Sequence, residues 1–163
     1  MGAKEWITVA FILVISAVAM LNVTEKSEPK MLQQKITMTT QTIDTIRSNA
    51  NTYAGLVPTK DYTNLSMDNL KTKGIIDYPV SGTGATSTIT APFDDQLTFS
   101  IAPMSGNKKF TITVTAITNT SMDAVQKQQF EDTINAYALA GAGTISGYTT
   151  TGADGKISLN FAN

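Results

Sequence analysis

Hydrophobic and polar residues follow patterns that change along this chain. The first is a run of nineteen uncharged residues, Trp6 to Thr24, with charged residues returning at Glu25 and Lys26. At ~1.5 Å per residue a helix of this length covers about 28 Å, close to the ~30 Å hydrocarbon core of a bilayer. The run is therefore predicted to be a membrane anchor, a cleaved signal, or a helix that leaves the membrane to form the core of a polymer.

The second pattern is an amphipathic stripe whose steps alternate between four and three residues. Its members are Leu32, Ile36, Thr39, Ile43, Ile46, Ala50 and Tyr53. This spacing places them on one face of a helix over about residues 30–54. Gly55 follows at a position suited to a left-handed cap. Pro29 separates the two helical runs and predicts a kink or break there.

A less regular stretch follows, which we interpret as a loop over residues 55–90. Within it, a short helix is predicted to start at Ser66, bury Leu70 and stop at Gly74. The residues from Ser81 to Thr88 are flexible by composition.

Strict alternation then predicts two strands joined by a hairpin turn at residues 105–108. The first covers residues 96–102, and the second covers residues 110–117 with Phe110, Ile112, Val114 and Ala116 on one face. The order of these elements is typical of an antiparallel sheet.

A further helix is predicted at about 121–139, capped by Thr120 with Asp123 three residues later and ended by Gly141. Its buried positions are Met122, Val125, Phe130, Ile134 and Tyr137. Two final strands follow at residues 144–149 and 156–161, joined by a turn containing Asp154-Gly155.

Together these elements predict an α+β chain with two parts. Residues 1–28 form a hydrophobic N-terminal helix, and residues 29–163 form a globular domain. In this domain the C-terminal half of the long helix packs on an antiparallel sheet.

Composition narrows the possible functions. The net charge is −1, so no basic surface attracts nucleic acid. The chain has no Cys and no His, and we identify no catalytic constellation, cofactor motif or metal spacing; the chain is not predicted to be an enzyme. Asp94-Asp95 could ligate Ca²⁺, although a solvated turn is the simpler interpretation. Threonine occurs twenty-six times and favours a neutral β surface.

Four stretches resemble a mature type IV pilin of the type IVb group. Glu5 is the fifth residue of a chain beginning with Met1 and precedes the apolar run. Residues 51–58, residues 91–99, and residues 110–115 with the helix after them are similar to pilin segments in the same order. The likeness covers nearly the whole chain. Unlike that group, the chain lacks a C-terminal disulfide, and residues 2–4 are less hydrophobic than the usual start.

The resemblance implies the type IV pilin fold and a structural role without a cofactor. A prepilin peptidase would remove a leader and leave a methylated amine at Met1. The subunit would be anchored in the inner membrane before assembly machinery adds it to a homopolymer, an extracellular pilus on the bacterial surface. Such a pilus serves adhesion, aggregation or conjugative contact. Glu5 would pair with the Met1 amine of a neighbouring subunit, because a lone carboxylate among apolar helices costs several kcal/mol.

Alternative interpretations remain at this point. A pseudopilin of a type II-like secretion system has the same predicted layout. A membrane-tethered or secreted binding module is also consistent, since Ala17-Val18-Ala19 before Met20 fits a signal cleavage site. In either a tether or a plain anchor, Glu5 would be an ordinary charge at the membrane interface.

Overall fold

The computed structural model describes residues 29–115, 123–140, 143–149 and 156–162. Helices α1 (Pro29–Leu56), α2 (Met67–Thr72) and α3 (Ala124–Ala140) accompany strands β1 (Val80–Ser81), β2 (Thr88–Ala91), β3 (Asp94–Pro103), β4 (Lys109–Thr115), β5 (Gly143–Thr149) and β6 (Lys156–Ala162). The chain is therefore α+β, as predicted. The apolar run from Trp6 to Thr24 lies outside the described residues.

Helix α1 confirms the amphipathic stripe. Pro29 is its first residue, where a fixed φ and a missing N–H are tolerated. Six stripe positions are buried, namely Ile36, Thr39, Ile43, Ile46, Ala50 and Tyr53. The residues before Pro29 lie outside the described part, and so does the kink or break predicted at this proline.

The C-terminus of α1 differs from the prediction, because Gly55 is not a left-handed cap. The helix continues to Leu56, and the Val57 N–H donates to the Tyr53 carbonyl at 3.2 Å. The Lys60 ammonium donates to the Gly55 carbonyl at 2.9 Å. A cation from the following turn thus satisfies a terminal carbonyl, and no glycine cap is required.

Helix α2 confirms the prediction made from Ser66, Leu70 and Gly74. The Ser66 hydroxyl accepts the Asn69 N–H at 3.1 Å, which is an N-cap hydrogen bond. Leu70 is fully buried, and Gly74 follows the helix with φ of 68°. A left-handed residue at this position favours glycine.

The segment predicted to be a flexible loop contains regular structure instead. Strands β1 and β2 pair antiparallel on either side of a 3-10 turn at Gly84–Thr86. The Gly84 N–H donates to the Asp68 carboxylate at 3.1 Å, and the Ser87 hydroxyl accepts the Asp68 N–H at 2.9 Å. Because Asp68 lies sixteen residues before Gly84, local composition carried no sign of this tie to α2.

The six strands form one antiparallel sheet in the order β1-β2-β3-β4-β6-β5. The predicted β3–β4 turn is present, with Gly106 and Asn107 at φ of 83° and 55°. The predicted final strands are also confirmed as β5 and β6. The turn between them, with Asp154-Gly155, lies outside the described residues.

The core lies between the sheet and the two long helices, which contact the sheet and each other. Alternate strand residues face it: Leu97, Phe99 and Ile101 on β3, Phe110, Ile112 and Val114 on β4, and Ile157, Leu159 and Phe161 on β6. Phe130, Ile134 and Tyr137 of α3 are buried as predicted. Ala116 and Met122 lie outside the described residues.

Helix α3 starts later than predicted, at Ala124 rather than residue 121. The Asp123 carboxylate accepts the Gln126 N–H at 2.8 Å, and the Gln126 side chain accepts the Asp123 N–H at 3.0 Å. This reciprocal pair is a capping box that begins at Asp123. Thr120, the predicted cap, lies outside the described residues. Val125 then falls on the exposed side of the first turn, with 67% of its surface accessible, so its predicted burial was wrong.

Within the described ranges, no helix combines the length and apolar character needed to cross a membrane.

Candidate assembly surface

A long uncharged surface runs along the outward side of α1. We define this outer face as Gln34, Thr37, Gln41, Thr45, Ser48 and Thr52, which recur every three or four residues. All are exposed except Thr37, which is half-buried. The face lies opposite the buried stripe.

Two of the three threonine hydroxyls on the outer face donate to the backbone of the helix itself. The Thr45 hydroxyl donates to the Gln41 carbonyl at 2.9 Å, and the Thr52 hydroxyl donates to the Ser48 carbonyl at 3.1 Å. Such bonds occupy the hydroxyl donor within the helix. Covering the outer face with another chain therefore leaves fewer unsatisfied donors than a row of free hydroxyls would.

The charged residues of α1 from Gln33 to Leu56 are Lys35, Asp44 and Arg47, and all three are engaged within the domain. The Lys35 ammonium lies 2.9 Å from a carboxylate oxygen of Asp94, whose side chain is only 7% exposed. This pair joins α1 to the start of β3. The ion pair holds the Lys35 side chain at one flank of the outer face, where its charge is compensated by Asp94.

On the other flank, Asp44 and Arg47 contact α3 and the sheet. The Tyr137 hydroxyl of α3 donates a hydrogen bond to the Asp44 carboxylate. The Arg47 guanidinium lies 5.0 Å from the centre of the Phe161 ring on β6, within range of a cation–π contact. These two charged residues therefore connect α1 to α3 and to β6.

The environment of Tyr137 is strongly perturbed. Burial raises the pKa of the Tyr137 hydroxyl well above its ordinary 10.0, and the Asp44 carboxylate raises this pKa further, while Arg47 lowers it. The phenol is thereby held neutral as a donor to Asp44. We interpret the role of Tyr137 as structural, because its hydrogen bond to Asp44 joins α3 to α1.

A shallow depression of about 380 Å³ lies along the N-terminal part of α1. Its lining residues are Gln33, Gln34, Thr37, Met38 and Gln41. All come from one helix, so the depression is a groove of that helix surface. It suits the side chains of a packed neighbour better than an enclosed small molecule.

The residues predicted to act in assembly, Met1 and Glu5, lie outside the described residues. Asp94 is described, and its carboxylate pairs with Lys35 rather than lying in a solvated turn. Among the residues that the structure describes, no three His, Cys, Asp or Glu side chains are grouped to hold a metal ion.

The contacts of Lys35, Asp44 and Arg47 were not predicted from the sequence. Their partners Asp94, Tyr137 and Phe161 lie 59, 93 and 114 positions further along the chain. Only the fold brings these residues together, so spacing within α1 gives no sign of the contacts. The one available signal was that all three interrupt an otherwise neutral helix surface at its flanks.

Known proteins provide no independent indication of what this surface does. No protein-family model, no curated protein and no solved structure matches the chain.

Proposed function

We propose that this chain is the structural subunit of an extracellular filament of the type IV pilus kind, polymerised through its N-terminal helix. Before assembly the subunit is anchored in the inner membrane by residues 6–24. The filament is a homopolymer on the bacterial surface that serves adhesion, aggregation or conjugative contact.

One observation carries this proposal: the outer face of α1 has no charged residue, and every charged residue between Gln33 and Leu56 contacts another part of the domain. Lys35 pairs with Asp94, Asp44 accepts from Tyr137, and Arg47 stacks on Phe161. A solvated surface helix ordinarily carries charged residues on its outward side. A neutral outer face following an apolar run is instead suited to packing among identical helices.

The apolar run supports the same function through its environment. A helix that exchanges lipid neighbours for protein neighbours stays in dry surroundings throughout assembly. Glu5 is then the one carboxylate at the start of this helix, and the amine of Met1 in an adjacent subunit would compensate its charge. The proposal includes removal of a leader by a prepilin peptidase and methylation of Met1.

A pseudopilin of a type II-like secretion system is the second candidate, because the neutral helix face suits a short assembly equally well. Filament length separates the two. A binding module tethered by its helix is not favoured by the outer face of α1, since a tether needs no neutral surface on the folded domain.

The first test replaces Glu5 with Gln. The variant is expected to insert in the membrane and to fold, yet to form few or no filaments, because the subunit-to-subunit charge pair is lost. Electron microscopy of sheared surface material measures filaments, and membrane fractionation measures insertion. Normal piliation by Glu5→Gln would contradict the proposed role of this carboxylate.

The second test places a charge on the outer face of α1 with Thr45→Lys. Burying this lysine between subunits would require desolvation, so filament yield should fall at least about tenfold. Thr90→Lys, at an exposed position of β2, is the matched control and should assemble normally. Equal yields from the two variants would show that the outer face is not covered in the filament.

A further inference from the structure

The two edges of the sheet are protected very differently. At one edge lies β1, which contains only Val80 and Ser81 and directly follows Pro79. Short length and proline are devices that keep a sheet edge from pairing with another chain. This edge is therefore unsuited to extending the sheet.

At the other edge lies β5, which has seven residues, Gly143–Thr149. It pairs with β6 on one side, and no described strand pairs with its other side. The strand contains no charged residue and no proline. Among the described residues, its one protective feature is the register irregularity between Ile145 and Gly147, which leaves a regular stretch at each end.

We propose that the edge of β5 facing away from β6 pairs with β5 of a second copy of this chain, antiparallel and about a two-fold axis near Ser146. This pairing does not require filament formation. If the chain forms filaments, the same pairing would join subunits of two neighbouring filaments side by side.

A second copy is the occupant that the geometry favours. Edge β1 offers two residues and cannot match a seven-residue partner, so continuation of the sheet from β5 to β1 is excluded by length. Two β5 strands match each other in length and neutrality. Antiparallel pairing of identical strands is self-complementary, and the irregularities of both copies then meet near the axis.

The rest of the domain holds β5 in position for this contact. Helix α3 contacts β5, and a Cβ on Gly143 would come within 2.7 Å of the Phe161 ring. The start of the strand is thus fixed against the core, whereas Thr144 beside it is exposed. A strand supported in this way loses little conformational entropy on pairing.

The test uses single-cysteine variants of the full-length chain, which has no Cys of its own, purified in detergent micelles and exposed to a thiol oxidant. Cysteine is placed in turn at Thr144, Ser146 and Thr149, with Ser81→Cys on β1 and Ser158→Cys on central β6 as controls. Across a two-fold axis, equivalent residues separate by roughly 7 Å for each step from the axis. Disulfide-linked dimer should therefore peak at Ser146 and fall off at the other two positions.

Thr144→Lys provides an independent measurement by analytical ultracentrifugation. Lysine on a paired edge opposes association, and a weakening of about tenfold is expected relative to Thr90→Lys, which makes the same change on β2, at the opposite side of the sheet from β5. Circular dichroism verifies that each variant is folded. Cross-linking at all β5 positions no greater than at Ser81 and Ser158 would overturn the inference, as would equal association of the two lysine variants.

These outcomes are separable from those of the filament proposal. Filaments whose β5 cysteines behave like the controls would refute edge pairing alone. Dimers linked through Ser146 in material that never forms filaments would support edge pairing and count against the pilus function.

Discussion

Individual residues stabilise the C-terminal hairpin without a disulfide. The Phe161 ring lies 5.7 Å from that of Phe110, and Arg47 stacks over it. Gly143 lies against the same ring, where no side chain larger than hydrogen fits. Packing around one aromatic residue thus connects β4, β5, β6 and α1.

Gly143→Ala should therefore destabilise the domain. Its Cβ would lie 2.7 Å from the Phe161 ring and 3.0 Å from the Ala138 carbonyl oxygen, and overpacking of this kind costs about 1–3 kcal/mol. Gly55→Ala is the matched control: nothing lies within 4 Å, and alanine within a helix is favoured by about 0.5–1 kcal/mol. Urea unfolding should show opposite signs, and equal effects would contradict this account.

Tyr137 gives the stability a dependence on alkaline pH. Its pKa is raised in the folded state, mainly by burial, so its contribution is intact below its ordinary pKa of 10.0 and is lost as pH rises above this value. Over that range the unfolding free energy of the wild type should fall by up to about 1.4 kcal/mol per pH unit more than that of Tyr137→Phe. Denaturant unfolding of both proteins between pH 8 and pH 11 measures this difference in pH dependence, because the range includes the ordinary tyrosine pKa of about 10.

At neutral pH, Tyr137→Phe should lower the unfolding free energy by about 1 kcal/mol through the lost hydrogen bond to Asp44. Parallel pH curves for the wild type and the variant would show that this tyrosine does not titrate with unfolding.

Elements with a sustained period were predicted well, whereas short elements were not. The stripe of α1 and the alternation of β3, β4 and β6 each repeat over several residues, so one misleading residue changes little. Strands β1 and β2 have two and four residues and carry no comparable repeat. Hydrogen bonds of Asp68 with Gly84 and Ser87 connect these strands to α2, and such contacts between distant positions cannot be predicted from the local sequence.

The capping box at the start of α3 can be tested by mutation. Asp123→Ala removes one half of the capping box and should lower the unfolding free energy by about 0.5–2 kcal/mol, with loss of helix signal in the first turn. Asp132→Ala removes the same charge from an exposed position within the helix and should change stability little. Amide hydrogen exchange at residues 124–127 should rise only in Asp123→Ala, and a similar rise in both would exclude the cap.

For the whole molecule, folding and assembly are expected to depend on different parts of the chain. Among the residues that the structure describes, the buried core is continuous from Ile36 to Phe161. A chain of residues 29–163 should thus fold yet form no filaments. Circular dichroism and microscopy check the two halves of this expectation, and filaments from the shortened chain would contradict polymerisation through the N-terminal helix.

The sequence by itself determined the α+β class, the long amphipathic helix and the main strands, because the period of apolar residues is a local property. It also identified the apolar run and Glu5 on which the proposed function depends. Only the tertiary structure decided that Lys35, Asp44 and Arg47 contact other parts of the domain and that β5 lies at an edge of the sheet. Both depend on partners distant in the chain, and no local pattern encodes which residues a fold brings together.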